Sequence, residues 1–183
     1  GIQAPQFATL GDYQNWLKQS FGTASDAMLS AYPASGVAEA ANRYTEISAD
    51  RVNAQQYLLA AARALKGTSS TYLYYFTHVM PGPGSDQFGA FHTSDVPYSL
   101  GYLSPARQEF WTSMDQRIAE TISSYWFNFA KAGNPNGEGL TEWAAFATGN
   151  IQLMELGNAM APIHFNKAKT DAWISYFHST YGI

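Results

Sequence analysis

Residues 70–79 read Ser-Thr-Tyr-Leu-Tyr-Tyr-Phe-Thr-His-Val, and the reading of this run decides the fold. From Thr71 to Val79 nearly every residue is β-branched or aromatic. Successive side chains of a strand point to opposite faces. A run that does not alternate with polar residues therefore suits a strand buried on both faces, as in a mostly parallel sheet. Such a strand cannot satisfy its own backbone and needs neighbours on both sides. Only one other segment is strand-like, "IQLMEL" at 151–156, which alternates and reads as an edge strand. The expected class is α/β, helix-rich, with few strands and an incomplete sheet that belongs to a larger one.

The flanking sequence reads as helices. Thr9 suits the N-cap of a helix carrying Tyr13, Trp16, Leu17 and Phe21, with Gly22 as its stop. Thr23 and Asp26 form a capping-box pattern for a second short helix that ends at Tyr32-Pro33. Val37 to about Ser48 reads as a third. Asp50 is expected to cap a fourth, with Gly67 following it. After the strand, Pro81, Gly82, Pro83 and Gly84 make a loop. Ser104-Pro105 is expected to open the longest helix, with Trp111, Met114, Ile118, Ile122, Tyr125, Trp126 and Phe129 as its apolar stripe and Gly133 as its stop. A last helix spans roughly 167–179.

Composition narrows the function. The chain has 183 residues, 46% hydrophobic and 15% aromatic, enough for one domain with a core. Only 13% are charged, about half the usual share. That balance suits a secreted or periplasmic protein, or a surface normally covered by something else. Net charge is −4, and the ten Lys and Arg are scattered, so no patch tracks a phosphate backbone and nucleic-acid binding is not expected. The absence of cysteine excludes disulfides, thiol catalysis and Cys-ligated zinc. No apolar run approaches the ~18 residues of a membrane span. "GIQAPQF" has neither the basic nor the apolar part of a signal peptide. The four histidines show no metal-ligand spacing, so no metal and no cofactor are expected; His78, His164 and His178 read as structural or surface residues.

The fourth histidine, His92, lies in "GAFHTSDVPY", residues 89–98, on the loop that follows the strand. Downstream comes "YWFNFAKAGNPNGEGLTEWAAF". The first segment resembles the catalytic-histidine segment of the type-B carboxylesterases, the family of cholinesterases and para-nitrobenzyl esterases. Gly89, Ala90, His92, Asp95 and Tyr98 match, with Asp where Glu is more usual. The second resembles the family's Trp-x-x-Phe-Ala-x-x-Gly-Asn-Pro-Asn-Gly stretch and its following Trp, here Trp126 to Gly137 and Trp143. Ala144 replaces the usual proline. "FGTASDAMLSAYP" and "SADRVNAQQYLLAAARAL" are similar to the helices before the histidine, so the resemblance covers nearly the whole chain.

The resemblance implies an α/β-hydrolase fold and cleavage of carboxylic esters by a Ser, acid, His triad in that chain order. His92 is the implied general base and acid. Asp95 is the implied supporting carboxylate, one that holds the loop or the neighbouring serine network. The nucleophile elbow, Gly-x-Ser-x-Gly, is absent: the nearest serine, Ser69, has Gly67 before it but Thr71 after it. The oxyanion-hole glycines are absent too, and by the family pattern the acid would precede Gly1. The expectation is that residues 1–183 are one C-terminal portion of a carboxylesterase, without activity alone. Its expected partners are the missing N-terminal part and a small carboxylic ester. Two other readings stand beside it: a non-catalytic adhesion or binding module, and a stand-alone domain that closes its open strand by self-association.

Overall fold

A computed structural model describes residues 5–150 and 152–182. It divides into two compact units, one of residues up to Ala62 with those from Phe165 onward, the other of Arg63–His164.

The first unit is helical. Helix α1 (Leu10–Phe21) begins at the expected cap: the Thr9 hydroxyl accepts from the Asp12 amide, and the Asp12 carboxylate accepts from the Thr9 amide. It ends at Gly22, whose φ of 53° a side chain would disfavour. Thr23 does not cap the next helix. Residues Gly22–Ala24 form a 3₁₀ turn, and α2 (Ser25–Ala31) starts directly from it with no side-chain cap. The third and fourth expected helices are one, α3 (Val37–Lys66), 30 residues long. Nothing between Ser48 and Asp50 breaks the helix, since neither Gly nor Pro lies there. Asp50 sits inside α3 and does not cap it; its carboxylate accepts instead from the Tyr32 hydroxyl at 3.0 Å. The last helix, α7 (Lys167–Tyr181), is capped by Asn166.

The core of this unit is aromatic: Tyr13, Phe21, Tyr32, Trp173 and Phe177 are buried with Leu17 and Met28. Tyr32 is its polar knot. Its phenol donates to Asp50 and accepts from the Trp173 indole at 2.9 Å, while Lys169 lies 5.1 Å from its ring centroid. Burial, then the Asp50 charge, pushes the Tyr32 phenol well above its ordinary value, so it stays a neutral donor. Tyr32→Phe keeps the ring but strands the Trp173 N–H in an apolar core. It is expected to lower the unfolding free energy by about 1–3 kcal/mol, read by urea denaturation.

The second unit holds a three-stranded sheet in the order β1-β2-β3. Strand β1 (Tyr74–Phe76) runs parallel to β2 (Gln152–Leu156), which pairs antiparallel with β3 (Pro162–His164). Two expectations are corrected here. The strand expected over 71–79 is three residues long, and Tyr74 and Tyr75 are 39% and 40% exposed rather than buried on both faces. The expected edge strand is the central one, buried from Leu153 to Leu156, because β3 covers its far side; Ile151 lies outside the described residues.

Helix α6 (Ser113–Ala132) packs Ile118, Ile122 and Tyr125 against Met154 and Leu156. It does not open at Ser104-Pro105, where a 3₁₀ turn over Pro105–Arg107 stands apart. Thr112 caps it, in a capping box with Asp115. Trp111 therefore lies before the helix, and Met114 and Phe129 are on its exposed side. Gly133 closes it in the left-handed conformation, φ 69°.

The Asn-Pro-Asn-Gly turn after α6 has a mechanical role. The Asn136 amide accepts from the Trp143 backbone N–H at 2.7 Å and donates to its carbonyl at 2.9 Å, as a neighbouring strand would. The Trp143 indole then donates to the Leu73 carbonyl at 3.0 Å, which fixes the ring against the lead-in to β1.

Candidate active-site loop

The segment leaving β1 carries the candidate residues. Two one-turn helices, α4 (Ser85–Phe88) and α5 (Val96–Ser99), bracket a turn over residues 89–95. His92 is exposed and has no hydrogen-bond partner among the described residues. Thr93, beside it, has φ 73°, a left-handed conformation that a β-branched side chain disfavours. Ser94 closes the turn: its amide and hydroxyl both donate to the Phe91 carbonyl, at 3.0 and 2.7 Å.

Asp95 does not turn its carboxylate to the α5 backbone; its carbonyl, not its side chain, accepts from the Tyr98 and Ser99 amides. The carboxylate accepts instead from the Tyr74 hydroxyl at 2.8 Å. Burial, then the Asp95 hydrogen bond and charge, pushes the Tyr74 phenol up to about 12, so it donates throughout the neutral range. Large apolar side chains crowd the same stretch of chain on the outside: Phe88, Phe91, Val96, Leu100 and Tyr102 are all exposed.

Beneath the loop lies a buried polar node that the sequence did not reveal. Asp115, 1% exposed, accepts from the Tyr98 hydroxyl at 2.7 Å and from the Thr112 hydroxyl and amide at 2.5 and 2.8 Å. His78 Nε2 lies 2.8 Å from the same carboxylate, and its Nδ1 lies 2.8 Å from the Asn158 side-chain oxygen. Burial alone would raise the Asp115 pKa. The hydrogen bonds from Thr112, His78 and Tyr98 outweigh it and hold the carboxyl below its ordinary range. The node ties α5 to the start of α6 and to the segments leaving β1 and β2. Tyr98, His78 and Asn158 join it across 17, 37 and 80 residues of sequence, so no local pattern marked His78; the Thr112-x-x-Asp115 capping box was the one local signal for Asp115.

Tyr74 also lines a cleft of about 310 Å³, walled by Tyr72, Tyr125, Trp126, Phe129 and Trp143. No cluster of three or more His, Cys, Asp or Glu that could hold a metal occurs among the described residues. Nor is any described helix long and apolar enough to cross a membrane.

A helix-rich chain with a small sheet, its parallel pair covered by α6, is consistent with a partial α/β-hydrolase fold. The chain belongs to the carboxylesterase family, whose model matches residues 8–173. It is 29% identical to human (Homo sapiens) bile salt-activated lipase over 129 residues, 67% of this chain and 17% of the lipase. It is 28% identical to fumonisin B1 esterase of Sphingopyxis macrogoltabida over 146 residues, 75% of this chain and 26% of the esterase. It is 31% identical to pyrethroid hydrolase Ces2e of Rattus norvegicus over 90 residues, 48% of this chain and 16% of the hydrolase. The aligned regions thus span about a sixth to a quarter of these relatives.

Proposed function

We propose that this chain is the histidine-bearing portion of a serine carboxylesterase. In that reading His92 is the general base and acid, Asp95 steadies its loop, and the nucleophile, the triad acid and the oxyanion hole come from polypeptide preceding Gly1. A serine hydroxyl is a weak nucleophile until an imidazole takes its proton. The same imidazole then protonates the leaving alcohol, and a carboxylate on its far nitrogen holds the tautomer and stabilises the imidazolium. The single observation that carries the reading is the position of His92: exposed, unpartnered and beyond the carboxyl end of a parallel strand, within a chain of this family. The names of the relatives, a lipase, an esterase and a hydrolase, support a carboxylic ester as substrate.

The open edge of β1 supports the missing partner. Parallel ladders bond alternate residues to each side. Leu73 and Thr77 bond to β2, through the Met154 amide and the Leu156 carbonyl, so the backbone of Tyr74 and Phe76 is directed to the other edge. No described strand lies there. A further strand from the same enzyme would satisfy it.

The gene frame upstream of Gly1 tests the proposal. It is expected to run back through an acidic residue to a Gly-x-Ser-x-Gly, and a frame that lacks the serine would make this a binding module. The isolated chain is expected to leave p-nitrophenyl butyrate unhydrolysed. Turnover that disappears in His92→Ala would refute the need for the missing part.

A further inference from the structure

We infer that Tyr74 is a positioning residue for His92, joining the Asn-Pro-Asn-Gly and Trp143 segment to the histidine loop through its hydrogen bond to Asp95. The inference rests on the reading of His92 as the base. Among the described residues, the Tyr74–Asp95 bond is the sole side-chain hydrogen bond from residues 91–95 to the sheet. The other bonds of the turn run within the loop and into α5: Ser94 to Phe91, the Val96 amide to the Thr93 carbonyl, and the Tyr98 and Ser99 amides to the Asp95 carbonyl. These bonds shape the turn and, through Tyr98 and Asp115, hold its far end to α6; Tyr74 is its tie to the sheet.

Tyr74 itself is held from three sides. Its backbone is in β1, paired to β2. Its ring meets Trp126 edge-on at 5.3 Å and Trp143 edge-on at 6.1 Å, contacts that fix an aromatic ring beyond what burial alone provides. Trp143 is in turn gripped by Asn136 and by the Leu73 carbonyl. The phenolic oxygen is thus a fixed point. Its acceptor is a carboxylate, and hydrogen bonds to a carboxylate are stronger than those between neutral groups. A rigid donor on a charged acceptor three residues from the imidazole sets where the turn sits over the end of β1. Such a support fixes the geometry of a base without touching substrate. The two sequence segments that mark this family are, in this chain, mechanically one piece.

Amide hydrogen exchange on the chain itself tests this without any ester, so it is independent of whether the hydrolase reading holds. Tyr74→Phe keeps the ring and its contacts and removes only the donor. Exchange at Ser94 and Val96 is expected to quicken about tenfold in Tyr74→Phe and equally in Asp95→Ala. The double variant should be no faster than either, because both break one bond. Asp95→Asn retains an acceptor oxygen and is expected to stay within about twofold of the parent, an advantage over Asp95→Ala that Tyr74→Phe should abolish. Unchanged exchange in Tyr74→Phe, multiplying effects in the double variant, or equal loosening of α6 would each overturn the inference.

Discussion

Asp115→Ala is expected to lower the unfolding free energy by about 3–5 kcal/mol, with the loss confined to the second unit. Asp115 is 1% exposed and is the acceptor for Tyr98, Thr112 and His78 together. Alanine leaves a buried phenol, a hydroxyl and an imidazole nitrogen without their shared acceptor. It also removes half of the α6 capping box, by itself about 1 kcal/mol. The loss should depend on pH with a definite sign. The folded-state pKa of Asp115 lies below its unfolded value. Its contribution is therefore complete above the ordinary carboxylate pKa of about 3.9 and disappears as pH falls through the folded value. The gap between parent and variant in urea denaturation should be full at pH 7 and shrink below about pH 4. A gap independent of pH would mean the carboxylate is not what the node depends on.

His92→Ala is expected to do the reverse. In the enzyme whose chain carries the nucleophile, kcat/KM should fall by about 10⁴ or more, since a triad without its base retains only binding and oxyanion stabilisation. The melting temperature of the chain described should stay within about a degree, because there the ring is exposed and bonded to nothing described. The fall should appear in kcat with KM little changed, the pattern of an interaction made in the transition state. A loss of activity matched by a loss of stability would mark His92 as a structural residue. The two histidines of this unit thus make opposite predictions. His78 is buried and doubly partnered, and it belongs to the scaffold. His92 is exposed and without a described partner, and in the proposed reading it belongs to the chemistry.

The sequence made some of this legible. The Thr9 cap, the stops at Gly22 and Gly133 and the last helix are local chemistry, where a hydroxyl or a missing Cβ acts on its neighbours. The histidine loop was legible as a pattern of residue types. What escaped depended on distant partners. Asp50 looked like a cap because a carboxylate before an apolar run usually is one. Tyr32, 18 residues earlier, claims it instead, and the helix runs through. The aromatic run at 71–79 looked buried on both faces because no sequence pattern shows which neighbours of β1 are present. Strand β3, three residues long, has no periodicity to read. Asp95 was expected to support the loop, but its donor, Tyr74, lies 21 residues back and carried no mark of that role.

The left-handed Thr93 bears on the order of events in folding. A β-branched residue with φ near 73° is disfavoured on its own by about 1–3 kcal/mol. In a partly folded chain, residues 91–95 therefore prefer another shape. The forces that overrule this preference reach the loop from the sheet through Tyr74 and from α6 through Tyr98. Both are expected to be in place before the turn closes, which would make the loop a late structure, outside a nucleus formed by α6 and the strands. Damage to it would quicken unfolding and leave the folding rate nearly untouched. If His92 is the base proposed above, its imidazole reaches its working position only in a chain that has finished folding.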